Sequence, residues 1–199
     1  MEKAIPVAAL IGERAAELAL AEAKPGMEVC RETGIPYYPL LSIKQNTVLL
    51  RILLDDEKRT WLRELLEASG LKKNGWTKPF RKDQPGQKRL WGILTSLLTR
   101  PERLLALDPM VGMTAQDREA FARLIVLGTE RGTEVRFTAA RLQDVMRLAI
   151  PCRVCFAAGN TWRETDSATL EGKLEAAALD TTWDDLQRRW EDGANGQKS

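Results

Sequence analysis

Apolar side chains recur every three or four positions along most of this chain. Residues 8–24 are rich in Ala and keep this spacing, which predicts a helix that Pro25 and Gly26 end. Brief strands are possible at 134–137 and 152–156, and two prolines keep 35–39 extended. The pattern therefore predicts a mostly α fold, a compact multi-helix domain with at most a few short strands. Further helices are predicted over 47–69, 87–98, 101–107, 114–127, 138–148, 168–179 and 183–190.

Polar residues at the ends of these segments fit helix caps. Asp55 or Asp56 can cap the helix that Gly70 ends, and Thr114 and Thr138 can cap two later helices. The apolar run 48–54 fits a buried strand as well as a helix, and helix is preferred because no turn signal follows the run. We expect a single helical domain over 1–192 with a basic loop at 72–89, followed by a disordered tail at 193–199.

The composition is that of an ordinary soluble globular protein, with 199 residues, 44% hydrophobic and 29% charged. No apolar run approaches the roughly 20 residues that a membrane-spanning helix needs. The first residues do not resemble a secretion signal, and the chain holds only three Cys. These features predict a cytoplasmic protein.

Charge is distributed unevenly behind a net value of +2. Residues 72–103 carry nine basic and two acidic side chains, whereas residues 164–199 carry four basic and nine acidic ones. A basic middle and an acidic end predict a polyanionic partner for the middle.

The segment 72–91 is the densest basic stretch, with seven Lys or Arg against one Asp, and aromatic rings lie between the charges. Gly and Pro keep most of it from forming a regular element, so the cations are expected to contact phosphates while Trp76 or Phe80 stacks on bases. The competing interpretation is a solvated loop whose aromatic rings are held by the core. The predicted nucleic-acid contacts are Lys72, Lys73, Trp76, Lys78, Phe80, Arg81, Lys82, Lys88, Arg89, Arg141 and Arg147.

Residues 114–156 contain two successive predicted helices before a possible strand. That order loosely resembles a helix-turn-helix with a wing, and Arg141 and Arg147 would lie on the outward side of the second helix. An ordinary pair of helices is the favoured interpretation, because capped helix pairs occur in any helical domain.

Candidate metal and catalytic groups are sparse. Cys152 and Cys155 form a CxxC pair, but the chain has no His and only Cys30 could join them, so core thiols without metal are expected. The acidic run 55–57 can hold a divalent cation, but its place at a predicted helix start, where the helix dipole favours acids, is the preferred explanation. No GxxxxGK[ST] or GxGxxG motif occurs, which gives nucleotide hydrolysis no support.

Together these features predict a non-enzymatic nucleic-acid-binding protein with no catalytic residue, no metal and no small-molecule cofactor. Expected partners are DNA or RNA and other protein subunits, with no membrane partner. The chain would be a subunit or accessory factor of a DNA- or RNA-processing complex, of which an RNA-guided defence complex is one example. Two alternatives stay open: a helical adaptor or inhibitor that presents the basic loop to an acidic protein, and a small metal-dependent nuclease using Asp55, Asp56 and Glu57.

Overall fold

Strands and helices alternate along the chain in the computed structural model, which describes residues 7–12, 14–31, 37–72, 76–79, 85–158 and 161–166. The elements are β1 (Val7–Ile11), α1 (Ala15–Ala21), β2 (Met27–Cys30), α2 (Ile43–Ile52), α3 (Asp56–Ser69), α4 (Pro85–Leu98), β3 (Arg103–Ala106), α5 (Ala115–Glu130), β4 (Glu134–Ala139), α6 (Leu142–Met146), β5 (Arg153–Ala158) and β6 (Thr161–Asp166).

The strands form one six-stranded sheet in the order β2-β3-β4-β1-β5-β6. All neighbouring pairs are parallel except β5 and β6, which pair antiparallel. Strand β1 lies between β4 and β5, with Ala9 opposite Phe137 on one side and Val154 on the other. Because β4 also pairs with β3, it separates β1 from β3, and the carboxyl ends of all three strands lie at one edge of the sheet.

The prediction of a mostly α fold is therefore wrong. Residues 7–11 are buried at every position, as expected for a central parallel strand covered on both faces, and such a strand shows no alternation of apolar and polar residues. The segment 101–107 was predicted as a helix but contains β3, and β2 at Met27–Cys30 was not predicted as a strand. The possible strands at 134–137 and 152–156 correspond to β4 and β5.

Helices α4 and α5 pack on one face of the sheet, and α3 packs on these two helices. Trp61, Leu65 and Trp91 are fully buried in this layer, and the ring of Phe121 meets that of Phe137 edge-on at 5.6 Å between centroids. Alternate strand residues point to the other face, where a smaller apolar cluster contains Leu10, Ala15, Ala19, Leu105 and Cys155. The sheet thus has helices on both faces, which is the layer arrangement of an α/β domain.

Several predicted helix ends are confirmed. Thr114 caps α5 in a reciprocal capping box with Asp117, Asp55 caps α3, and Gly70 ends α3 at φ +65°. The predicted helix 47–69 is two helices, because the chain turns at 53–55 between α2 and α3.

The possible helix-turn-helix is wrong, since β4 lies between α5 and α6 and Thr138 belongs to that strand. The predicted helices 168–179 and 183–190 and the predicted tail 193–199 lie outside the described residues, and a single domain over 1–192 stays a prediction. No helix within the described ranges is long and apolar enough to cross a membrane.

Candidate nucleotide site

The carboxyl edge of the parallel strands is where open α/β sheets bind their ligands. Here β1 leads into the turn before α1, β3 leads to Asp108, and β4 ends next to both at Ala139. Any ligand at this edge would meet the turn after β1 and the carboxylate after β3 together.

Asp108 is held by three hydrogen bonds to the surrounding protein. Its backbone N–H donates to Thr138 Oγ1 at 2.7 Å, and the Thr138 hydroxyl donates to Asp108 Oδ1 at 2.9 Å. Arg89 Nη1 donates to the Asp108 carbonyl at 2.7 Å. Thr138 is completely buried and Arg89 is 7% exposed, while Asp108 itself has a left-handed backbone with φ +44°. The carboxylate position is therefore fixed by buried partners on α4 and β4.

The turn between β1 and α1 is short. Three residues separate Ile11 from Ala15, and α1 has only seven residues. The N–H of Gly12 donates to the Ala139 carbonyl at 3.5 Å, and the N–H of Ala15 donates to the Gly12 carbonyl at 3.1 Å. These two amides are thus directed at protein carbonyls rather than at open space.

Comparison with solved structures shows the fold to be that of ATP-binding cassettes. A structure described as the ATP-binding subunit of an ABC transporter matches with a TM-score of 0.63 and 14% identity, covering 92% of this chain and 87% of that one. The cassette cbiO1 from Clostridium perfringens, described as part of the ABC transporter complex cbiONQ, matches with a TM-score of 0.62 at 14% identity, covering 86% and 84%.

A sequence relative points to the same class. The ABC transporter ATP-binding protein YtrB of Bacillus subtilis (strain 168) is 28% identical over 114 residues, which are 57% of this chain and 38% of YtrB. The chain thus matches well under half the length of that relative. No family model matches the chain.

These comparisons overturn the predicted function. The relative and the structural neighbours are ATP-binding cassettes, so a nucleic-acid-binding factor, the adaptor and the metal-dependent nuclease are all wrong. The same matches contradict the expectation of a non-enzyme: the relative is described as an ABC transporter ATP-binding protein, and one structural neighbour was solved in a post-hydrolysis state with ADP and Pi. The expected DNA or RNA partner and the expected lack of a membrane partner are wrong as well, because the relative and the neighbour are described as parts of ABC transporters.

The described residues do not fit a nucleotide triphosphate in the usual manner of this class of fold. In P-loop NTPases, backbone amides and a Lys cradle the phosphates, and a Ser or Thr with a carboxylate after a strand holds Mg²⁺. Asp108 corresponds to that carboxylate by its place after β3. The turn at 12–14 has neither the length nor the Lys, and its Gly12 amide donates to protein.

The predicted contact residues do not form one surface around this site. Lys72 pairs with Glu67 at 3.8 Å, Trp76 is half-buried against the core, and Lys78 is exposed. Trp76 therefore packs on the core, as in the competing interpretation of the basic segment as a solvated loop whose aromatic rings are held by the core. Lys73, Phe80, Arg81 and Lys82 lie outside the described residues.

The remaining predicted contacts are on helices or beside them. Lys88 is half-buried on α4, and Arg89 on the same helix bonds to Asp108. Arg141 and Arg147 are exposed at the two ends of α6. A ligand contact at each of these residues stays a prediction. The nucleic-acid role that motivated the prediction is wrong.

The three cysteines cannot form one metal site. Cys30 lies on β2 and the Cys152/Cys155 pair at β5, four strand positions away, which corresponds to about 19 Å across the sheet. Burial raises the pKa of Cys152 from 9.0 to about 11, with a further contribution from Cys155. Burial also raises the pKa of Cys30 to about 11, against the lowering effect of a hydrogen bond with Ser96. These thiols remain protonated at neutral pH.

The acidic run at the start of α3 has local roles. Asp55 accepts from the Lys58 N–H at 2.8 Å, and this backbone hydrogen bond lowers the pKa of its carboxyl. Asp56 pairs with Arg59 at 3.0 Å, and Glu57 pairs with Arg100. Within the described part of the chain no group of acidic or Cys side chains is arranged to hold a metal ion.

Sequence reasoning missed Asp108 and Thr138. The run Leu104–Leu107 followed by Asp108 is an apolar strand that ends in a carboxylate, which is the pattern of a nucleotide-site Asp. It was predicted as part of a helix over 101–107, because Pro101 is favoured in the first turn of a helix.

Proposed function

We propose that this chain is one cassette of an ABC-type assembly that couples ATP hydrolysis to a membrane transport protein. The observation that supports it best is the placement of Asp108 at the carboxyl edge, with β4 inserted between β1 and β3. The match to YtrB and the similarity to cassettes of transporter complexes support the same assignment.

The partner in this proposal is a transmembrane subunit, and α2 offers the surface for it. Val48, Ile52 and Leu53 are 49%, 68% and 83% exposed, a high exposure for three apolar side chains within six positions. Arg51 and Arg59 flank them and line the same shallow groove with Val48 and Ile52. An exposed apolar patch of this kind marks an interaction site.

The occupant we propose is a short segment of the transmembrane subunit with apolar side chains and an acidic group. The apolar side chains would cover Ile52 and Leu53, while the acid would meet Arg51 and Arg59. The chain would then lie at the cytoplasmic face of the membrane as a peripheral subunit.

The test uses the tagged full chain expressed in its source organism and purified from detergent-solubilised membranes. We expect a protein with several transmembrane helices to co-purify, and we expect the recovered complex to hydrolyse ATP. Ile52→Asp with Leu53→Asp should abolish recovery of that protein without lowering the melting temperature, because both side chains are exposed.

Val126→Asp is the matched control, since Val126 is an exposed apolar residue on a different helix, α5. It should leave recovery unchanged. The proposal fails if the chain is absent from membranes, or if the α2 variant is recovered with the same partner as the unmodified chain.

A further inference from the structure

We infer that this chain does not hold the triphosphate of ATP with its own turn after β1, and that a second cassette of different sequence supplies that cradle. The inference rests on the proposed function, because it concerns how the proposed assembly binds ATP. It is carried by the turn between β1 and α1 and by the partners of Asp108.

Two backbone donors beside this turn, the amides of Gly12 and Ala15, already have protein acceptors. A phosphate cradle needs several N–H groups that point at one place without protein acceptors. Here the Gly12 N–H is directed at the Ala139 carbonyl, and the Ala15 N–H closes a turn onto Gly12. Helix α1 also has only seven residues, so its own N-terminus adds little.

The side chains of the turn oppose a phosphate as well. The first turn of α1 reads Ala15-Ala16-Glu17-Leu18 and contains no Lys, Ser or Thr. Arg14 lies in the turn itself, and its Nε is 3.1 Å from Glu17 Oε2, so its charge is paired. A carboxylate at this position repels a triphosphate, whose negative charges require cations or free amides.

Of the two protein groups that hold Mg²⁺ in a P-loop site, only the Asp is present here. Asp108 is the sole acid in the sequence 103–113, and its Oδ1 accepts the Thr138 hydroxyl. In a P-loop site the hydroxyl that shares the cation with this Asp comes from the loop after the first strand. That loop here has no hydroxyl residue, so Mg²⁺ would have one protein ligand and no phosphate cradle beside it.

The partner that fits is a cassette carrying a GxxxxGK[ST] loop, which this chain lacks throughout its sequence. Two copies of this chain would bring together two incomplete cradles. The proposed assembly is therefore a pair of unlike cassettes, and the partner supplies the Lys and the hydroxyl.

The first experiment is calorimetric titration of the purified full chain with MgATP. We expect no saturable heat up to about 1 mM nucleotide. Saturable binding in the micromolar range would overturn the inference. A second variant, in which a GxxxxGKS sequence replaces residues 12–14, should gain MgATP binding if it keeps a cooperative melting transition; a folded graft that gains no binding also counts against the inference.

The second experiment identifies the subunits of the complex recovered from membranes. We expect a second cassette whose sequence contains GxxxxGK[ST], and we expect ATP hydrolysis to disappear when the lysine of that loop is changed to alanine. Recovery of two copies of this chain with full hydrolysis would refute the inference. Failure to recover any transmembrane subunit refutes the proposed function instead, and the titration with MgATP still tests the missing cradle.

Discussion

The indole N–H of Trp61 on α3 donates a 2.9 Å hydrogen bond to the backbone carbonyl of Leu97 near the end of α4. Residue 101, which would donate to this carbonyl in a longer helix, is Pro101 and has no N–H. The Arg100 N–H also reaches the same carbonyl at 3.0 Å. Trp61 thus ties two helices together at the point where one of them ends.

Trp61→Phe tests the contribution of this hydrogen bond to stability. The variant keeps an aromatic ring but loses the indole N–H and part of the buried area, so the free energy of unfolding should fall by about 1–3 kcal/mol. The facing guanidinium groups of Arg100 and Arg131 lie 5.8 and 5.2 Å from the ring and would meet a weaker π-face. Urea unfolding measures the change, and exposed Leu53→Ala should cost less than about 0.5 kcal/mol.

Gly86→Ala tests the close approach of the α4 and α5 helix starts. An added Cβ would lie 2.5 Å from Asp117 Oδ2 and 3.1 Å from the Met113 Cα, and Asp117 is fixed in the capping box with Thr114. Although Ala ordinarily favours a helix over Gly, this variant should lose about 1–3 kcal/mol from strain.

Gly128→Ala is its matched comparison. There the added Cβ would meet Leu97 Cδ2 at 2.7 Å, the far end of a flexible side chain that is able to move. We expect Gly86→Ala to lower the denaturation midpoint clearly more than Gly128→Ala does. The reverse order would show that Asp117 moves away from an added methyl group more easily than the Leu97 side chain does.

Thr138→Val tests the support of Asp108. Val has nearly the same shape but neither accepts from the Asp108 N–H nor donates to its carboxylate, so a loss of about 1–3 kcal/mol is expected. Thr138→Ser keeps the hydroxyl and removes one methyl, which should cost only about 1 kcal/mol. Thermal and urea denaturation of both variants measure the difference; equal losses would mean that the hydroxyl contributes nothing.

Alkaline pH should weaken the fold through its buried thiols. The pKa of Cys30 and that of Cys152 are each raised from 9.0 to about 11, so the folded state holds these protons more tightly than the unfolded state. Their contribution is present below pH 9 and is lost as pH rises toward 11.

The measurement is the free energy of unfolding between pH 8 and pH 11 for the unmodified chain and for Cys30→Ala with Cys152→Ala. The double variant should show the shallower fall, since both carry the same Lys and Tyr residues. Native thiols should also react slowly with a disulfide reagent at pH 8, and rapid labelling of Cys152 would contradict its burial.

Local signals predicted the helices well and the sheet poorly. The α5 helix was predictable because Thr114 begins a capping box and apolar residues follow at helical spacing. The α3 helix was predictable from Asp55 and Gly70 for the same reason. These features act within a few residues and are visible in the sequence.

Strand β1 was not predictable from local pattern. Its residues are all apolar and rich in Ala, a composition that favours helix when the residues are considered alone. The segment is a strand because β4 and β5 flank it and helices cover both faces, and these contacts come from distant parts of the chain. Buried parallel strands and buried helices share this apolar pattern.

The candidate site was missed for a related reason. The dense charge at 72–89 is visible in the sequence, whereas Asp108 stands out only once β3 is known to be a strand next to β4. Arg89 was predicted to contact phosphate, yet it is buried and bonds to the Asp108 carbonyl. Its place on the inner side of α4 depends on packing that charge counts do not reveal.

The central position of β1 also sets the order in which the protein can be completed during synthesis. Both neighbours of β1 are made long after it, because five of the six described helices precede β4 in the chain and all six precede β5. Until β4 and β5 leave the ribosome, β1 has two unpaired edges, and such edges invite pairing with other chains. A nascent chain that stops after α5 already has α3, α4 and α5, but it lacks β4, the strand that joins β3 to β1. Late translation is therefore the interval in which this protein most needs a chaperone.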